Sequence, residues 1–278
     1  MTVTSLGFLN VVLGLVYIGV AVMAAIEMRR NWRTMGFSHA GAAWITMAST
    51  CGAHHLVHGV HILGEGRAGG VLDLAAVLVG FPAGVIWFLL RLEAFFGGRG
   101  DRFVSGTPGW VATIPFASGI YLGILIAIVA GTSAISLGAL GSAMPNLLLV
   151  LVYSVVGFYL VRTQLANRKP LGGWSVSGIA LAVIFPTCAL MHGAYAYYVS
   201  TGRYAADSHG LVVDWLAVPA GIYFVWVVQA LYRGTFRDWN STGRAVPGAG
   251  AGGAPGAPAP ALAAGAAAAP VAPAARVV

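Results

Sequence analysis

Seven apolar stretches, joined by short polar or glycine-containing segments, run along the chain at about 5–27, 40–63, 71–92, 110–131, 146–166, 175–199 and 211–232. A helix needs about 20 apolar residues to cross the hydrocarbon core of a bilayer. The pattern therefore predicts an all-α integral membrane protein with seven transmembrane helices. In the second stretch the polar positions are not scattered. At about 100° per residue, Cys51, His54, His55, His58, His61 and Glu65 fall within an arc of roughly 120°. Bare polar groups are costly in lipid, so one polar stripe on a membrane helix should face the bundle interior.

The sixth stretch repeats this stripe. At a constant offset of 137 residues, Thr50, Cys51 and His55 match Thr187, Cys188 and His192, and Pro82-Ala83-Gly84 matches Pro219-Ala220-Gly221. Gly36, Ser38, Gly41, Ala43 and Leu74 also match Gly173, Ser175, Gly178, Ala180 and Leu211. At that offset Met191, Tyr195 and Tyr198 replace His54, His58 and His61, so each position keeps a group able to ligate or hydrogen-bond. The matches predict a parallel 3+1+3 internal repeat, spans 1–3 related to spans 5–7 by an axis along the membrane normal. The halves cover about 5–95 and 146–235, with a linker helix at about 110–131, all inside a membrane domain of residues 1–244. Residues 245–278 are almost wholly Ala, Gly, Pro and Val. They cannot build a packed core and are expected to form a disordered cytoplasmic tail.

Composition agrees with a membrane protein: 58% of residues are hydrophobic and 8% charged, against about 25% charged in a soluble domain. The net charge of +7 is not a nucleic-acid footprint, because it follows topology. Thirteen of the 15 Lys and Arg residues follow the odd-numbered spans; only Arg67 and Arg203 fall in the other loops. The positive-inside rule then puts the N-terminus outside and the C-terminus in the cytoplasm. The first span has no basic region before it and does not read as a signal peptide. A single Lys among abundant Arg, Ala and Gly suggests a bacterial plasma membrane.

Three chemistries fit the stripes. A metal ion held by Cys51, His55, Cys188 and His192 would have two thiolates and two imidazoles, a set suited to zinc or copper. His54, His58, His61, Met191 and Tyr195 would be alternative ligands or would orient the imidazoles, and the Met191 thioether would favour Cu(I). Haem b with His55 and His192 as axial ligands is the second chemistry, with His58 and Tyr195 beside it. Gly52, Gly59 and Gly193 would let the flat porphyrin approach the backbone. The third is a proton or substrate path through His58, His61, Glu65, Asp73 and Asp214 near the outer mouth. Against these stands plain interhelical hydrogen bonding by polar side chains. The expected roles are redox chemistry or sensing at the outer face, a transporter, or a haem-bearing subunit of a respiratory complex. A sensor would work with a partner protein in the membrane or cytoplasm.

The 3+1+3 layout resembles that of SWEET-type sugar transporters and microbial rhodopsins. A retinal pigment needs a Lys in the seventh span, however, and the single Lys, Lys169, lies in a loop. Met191-His192 resembles the metal-binding motif of MHYT sensor domains, but Gly193-Ala194 follows in place of Tyr-Thr. The seven-span hydrolases of the adiponectin-receptor and ceramidase group carry a His pair in the last span, where 211–232 has no His.

Overall fold

A computed structural model describes residues 3–66, 70–106, 109–133, 137–202 and 208–233. Within them lie seven α-helices: α1 (Val3–Met35), α2 (His39–Glu65), α3 (Val71–Phe95), α4 (Ile114–Ser133), α5 (Leu137–Asn167), α6 (Val176–Ser200) and α7 (Ser208–Arg233). The tail at 245–278 lies outside the described residues.

Among the described residues, five helices are long and apolar enough to cross a membrane: α1, α3, α6, and the Gly141–Asn167 and Leu211–Arg233 parts of α5 and α7. Two of the seven expected spans are not among these five. The α2 helix has the length, 27 residues, but five histidines and Glu65 lower its hydropathy. In α4, a helix of 20 residues, the described residues form an apolar run over Phe116–Ile128. The expected boundaries also move. The α5 helix begins at Leu137 rather than near 146 and takes Pro145 inside it. The α7 helix begins at Ser208, so His209 belongs to its first turn and not to a loop.

The surface confirms the solvent. Phe8, Leu15, Val60, Leu89, Leu151 and Ile222 are exposed, while Asn10, His55, His58, Asp73, Asn146 and His192 are buried. This is the reverse of a water-soluble domain, where charged and polar groups are seldom buried. The chain is a multi-pass helical membrane protein.

Each helix of the bundle has defined neighbours. The α1 helix packs on α2 and α3, α5 on α6 and α7, α3 on α6, and α2 on α7, while α4 lies outside against α6. The α1–α2 contact is the most extensive. A Cβ at Gly52 would stand 2.9 Å from the Gly14 carbonyl oxygen, and one at Gly59 would stand 2.8 Å from that of Gly7. Small residues at these crossings let the backbones touch, which drives helix association in lipid.

At one end of the bundle, α2 and α6 begin alike. Ser38 accepts a hydrogen bond from the Gly41 amide, and Ser175 accepts one from the Gly178 amide. Both are N-caps that satisfy donors left over by the first helical turn. A two-residue strand, Phe103–Val104, pairs antiparallel with Trp174–Ser175 at this end. Asp101 accepts there from the Ser175 hydroxyl at 2.6 Å and the Ser177 amide at 2.9 Å. Arg91 pairs with Glu27 at 2.6 Å.

Candidate metal centre

The α2 stripe faces the bundle interior. Helical spacing of 3 and 4 residues puts Cys51, His54, His55 and His58 on adjoining turns of one face, and α6 presents Cys188, His192 and Tyr195 toward them. The rings of His54 and His192 approach to 4.4 Å between centroids. The α7 helix adds Asp214 and α5 adds Asn146.

These groups form one hydrogen-bonded chain. His54 Nδ1 lies 2.7 Å from Asp214 Oδ1. Asn146 donates from Nδ2 to Asp214 Oδ2 at 2.6 Å, and its Oδ1 lies 2.6 Å from His192 Nδ1. The geometry fixes the tautomers. The Asp214 carboxylate only accepts, so His54 Nδ1 carries the proton. Asn146 spends its amide nitrogen on Asp214, so its oxygen faces His192 and His192 Nδ1 also carries a proton. Asn10 behaves likewise: its Nδ2 donates to the Leu6 carbonyl at 3.0 Å, and its Oδ1 accepts from His55 Nδ1 at 2.9 Å. His54, His55 and His192 therefore each carry a proton on Nδ1, and in the neutral ring the lone pair is on Nε2. Histidines that bind metal are oriented in this way, by donating the other ring N–H to an oxygen.

His54 Nε2 is buried without a hydrogen-bond partner among the described residues. A buried polar atom left unpaired costs about 1–3 kcal/mol, and a cation would remove that cost. One ligand atom from each of His54, His192 and Asp214 can be chosen so that all lie within 4.8 Å of one another. The three residues are buried, and the group could hold a metal ion.

The remaining predicted residues surround this group. The Cys51 sulfur lies 3.1 Å from the Tyr153 hydroxyl. Cys188 is buried, and both cysteines are free thiols. His55 packs on Tyr17 with ring centroids 5.4 Å apart, and His192 packs on Tyr153 at 5.2 Å. His58 Nε2 lies 3.3 Å from Asp73 Oδ2, and Tyr195 reaches Asp73 Oδ1 at 3.5 Å. Met191 is buried; His61 is half-buried and Glu65 exposed, one and two turns beyond His58. At the opposite end of α2, His39 Nδ1 lies 3.0 Å from the Tyr223 hydroxyl.

Two expectations need correction. Asp73 and Asp214 do not lie open at a mouth: both are buried, and both hydrogen-bond to histidines. Gly52 and Gly59 do not open a slot for a porphyrin. They press against α1, and a Cβ at Gly193 would meet Ile128 of α4 at 3.2 Å. The glycines serve helix packing.

Asn10, Asn146, Tyr17 and Tyr153 were absent from the sequence-derived set. Their signal exists at an offset of 136, where Asn10 matches Asn146 and Leu15-Val16-Tyr17 matches Leu151-Val152-Tyr153. The register between α1 and α5 differs by one residue from that between the other helices.

No protein-family model matches the sequence, and comparison with curated proteins and with solved structures finds no significant match.

Proposed function

We propose that this protein binds a divalent transition-metal ion in the membrane interior, between α2, α6 and α7. His54 Nε2 and His192 Nε2 are the imidazole ligands. Asp214 is the carboxylate, either as third ligand or as the group that orients His54. The observation that carries the reading is the orphaned, buried His54 Nε2 beside a second imidazole of the same tautomer.

Two imidazoles and a carboxylate suit zinc better than Cu(I), which prefers soft sulfur ligands. Zinc has no redox chemistry, so the donor set favours sensing over electron transfer; Cu(II) at the same residues would restore a redox role. Haem b is less well supported. The ring that stands 4.4 Å from His192 is that of His54, whereas His55, the other axial ligand expected for haem, packs on Tyr17. Cys51, Cys188, His55, His58, His61, Met191 and Tyr195 are then neighbours that shape the chamber or offer alternative ligands.

The 3+1+3 repeat belongs to this reading. The contacts α1–α2, α1–α3 and α3–α6 have the counterparts α5–α6, α5–α7 and α7–α2, as exchange of the halves requires. The matched Ser38 and Ser175 caps support it too. Arginine distribution supports seven spans in a bacterial plasma membrane, with the N-terminus outside and the ion nearer the outer face. A partner protein would read out the bound state.

A proton or substrate transporter is the second reading. It is favoured by the continuation of titratable groups from His54 to His58 and Asp73, the last of which is 0% exposed.

Titration of the detergent-purified protein with zinc, against a chelating dye, tests the first reading. One site per chain, lost in His54→Ala and in His192→Ala, is the expected result. Wild-type zinc affinity no better than that of His54→Ala would overturn it.

A further inference from the structure

A small void is lined by residues of α1, α2, α3 and α6. Its volume is about 10 Å³, and its wall includes Tyr17, His55, Val77, Thr187, Cys188 and Met191. That volume admits one water-sized particle. A water there would need two to four polar partners; the Thr187 hydroxyl turns its proton to the Val183 and Ile184 carbonyls. Toward a metal ion the wall offers one imidazole, one thiol and one thioether, with the Tyr17 hydroxyl beside them. Asn10 holds the imidazole with its proton on Nδ1, which leaves His55 Nε2 as a donor atom for a ligand. Met191 and Cys188 are buried.

We propose that this void is a second, soft metal site, holding Cu(I) on His55 Nε2, the Cys188 thiolate and Met191 Sδ. Binding displaces the Cys188 proton: the S–H bond breaks and its proton leaves to bulk solvent, the S–Cu bond forms, and no electron moves. The product is electrically neutral, one monovalent cation on one thiolate, which the apolar interior tolerates better than net charge. The position that holds Asp214 in the other half is occupied here by Val77, at an offset of 137. Without a carboxylate, a divalent ion would keep a net positive charge, so the wall selects a monovalent one. Thiolate and thioether are the ligands Cu(I) prefers. Met191 takes the place of His54 in the same register, so corresponding chambers carry hard donors in one half and soft donors in the other. The Cu(I) site stands on its own cavity and donors and does not require zinc at His54.

The full-length protein in detergent, pre-loaded with zinc and kept under reductant, is titrated against a chromophoric Cu(I) chelator. One Cu(I) per chain is expected, and its X-ray absorption should show both sulfur and nitrogen neighbours. Met191→Leu, a volume-conserving change, should weaken Cu(I) binding by about tenfold or more and leave any zinc bound. Cys51→Ser should retain Cu(I), and His54→Ala should retain it whether or not the wild type takes zinc. Failure of the wild type to draw Cu(I) from the chelator would overturn the proposal. So would equal affinity in Met191→Leu. Loss in Cys51→Ser with retention in Met191→Leu would place the ion on the thiol pair instead, and would also overturn it.

Discussion

His54 on α2 and Asp214 on α7 are 160 residues apart in the chain and 2.7 Å apart in space. The carboxylate fixes which nitrogen of His54 carries the proton, and so which one can ligate. The second Asp214 oxygen takes the Asn146 amide, which in turn sets the tautomer of His192. One carboxylate thus orients both imidazoles of the candidate centre.

Asp214→Asn should lower zinc affinity by about 10–100-fold, the usual effect of losing a group that orients a metal ligand. Asp214→Val, which copies Val77 at the position 137 residues earlier, should also lower stability. It leaves the Asn146 amide without its acceptor, at a cost of about 1–3 kcal/mol. Chelator competition and thermal unfolding in detergent separate the two effects.

Asn146 and Asn10 hold their histidines in the same way, yet only Asn146 joins the centre with Asp214. Asn146→Leu should weaken zinc binding by about 10–100-fold. Asn10→Leu should leave zinc affinity unchanged and destabilise the fold by about 1–3 kcal/mol through the orphaned His55 N–H. The pair, measured by the same titration, distinguishes a role at the centre from one in the frame.

The α2 stripe, its equivalent on α6 and the multi-pass helical class were legible in the sequence, because helical periodicity and apolar length act locally. The ranking of the ligands was not. Residues matched at the offset of 137 drew attention to His55 and His192, whereas the orphaned nitrogen belongs to His54, whose match at that offset is Met191. Asp214 read as a mouth residue because the seventh apolar stretch seemed to begin only at 211. The helix starts at Ser208 and carries Asp214 into the bundle. Asn10 and Asn146 escaped because a single offset of 137 misses the match at 136 between α1 and α5. The glycines were read by their neighbours in sequence, but the face they occupy is decided by α1, which no local pattern specifies.

Gly52→Val should disrupt the α1–α2 contact. A Cβ there meets the Gly14 oxygen at 2.9 Å and the Ile18 side chain at 2.8 Å. Backbone cannot yield as a side-chain tip can, so overpacking of about 1–3 kcal/mol is expected. Gly64→Ala, where nothing lies within 4 Å, should be tolerated. Melting temperature in detergent reads the difference.

The two serine caps should differ in weight. Ser38→Ala should cost about 0.5–2 kcal/mol, as for other N-caps. Ser175→Ala should cost more, because its hydroxyl also donates to Asp101 at 2.6 Å. Chemical unfolding in mixed micelles gives both values.

The centre itself is tested most directly by elemental analysis of the protein as purified in detergent, beside a His54→Ala/His192→Ala double variant. The account predicts about one equivalent of zinc per chain in the wild type, absent from the variant. A wild type free of transition metal after growth in supplemented medium, or a variant holding as much zinc as the wild type, would contradict it.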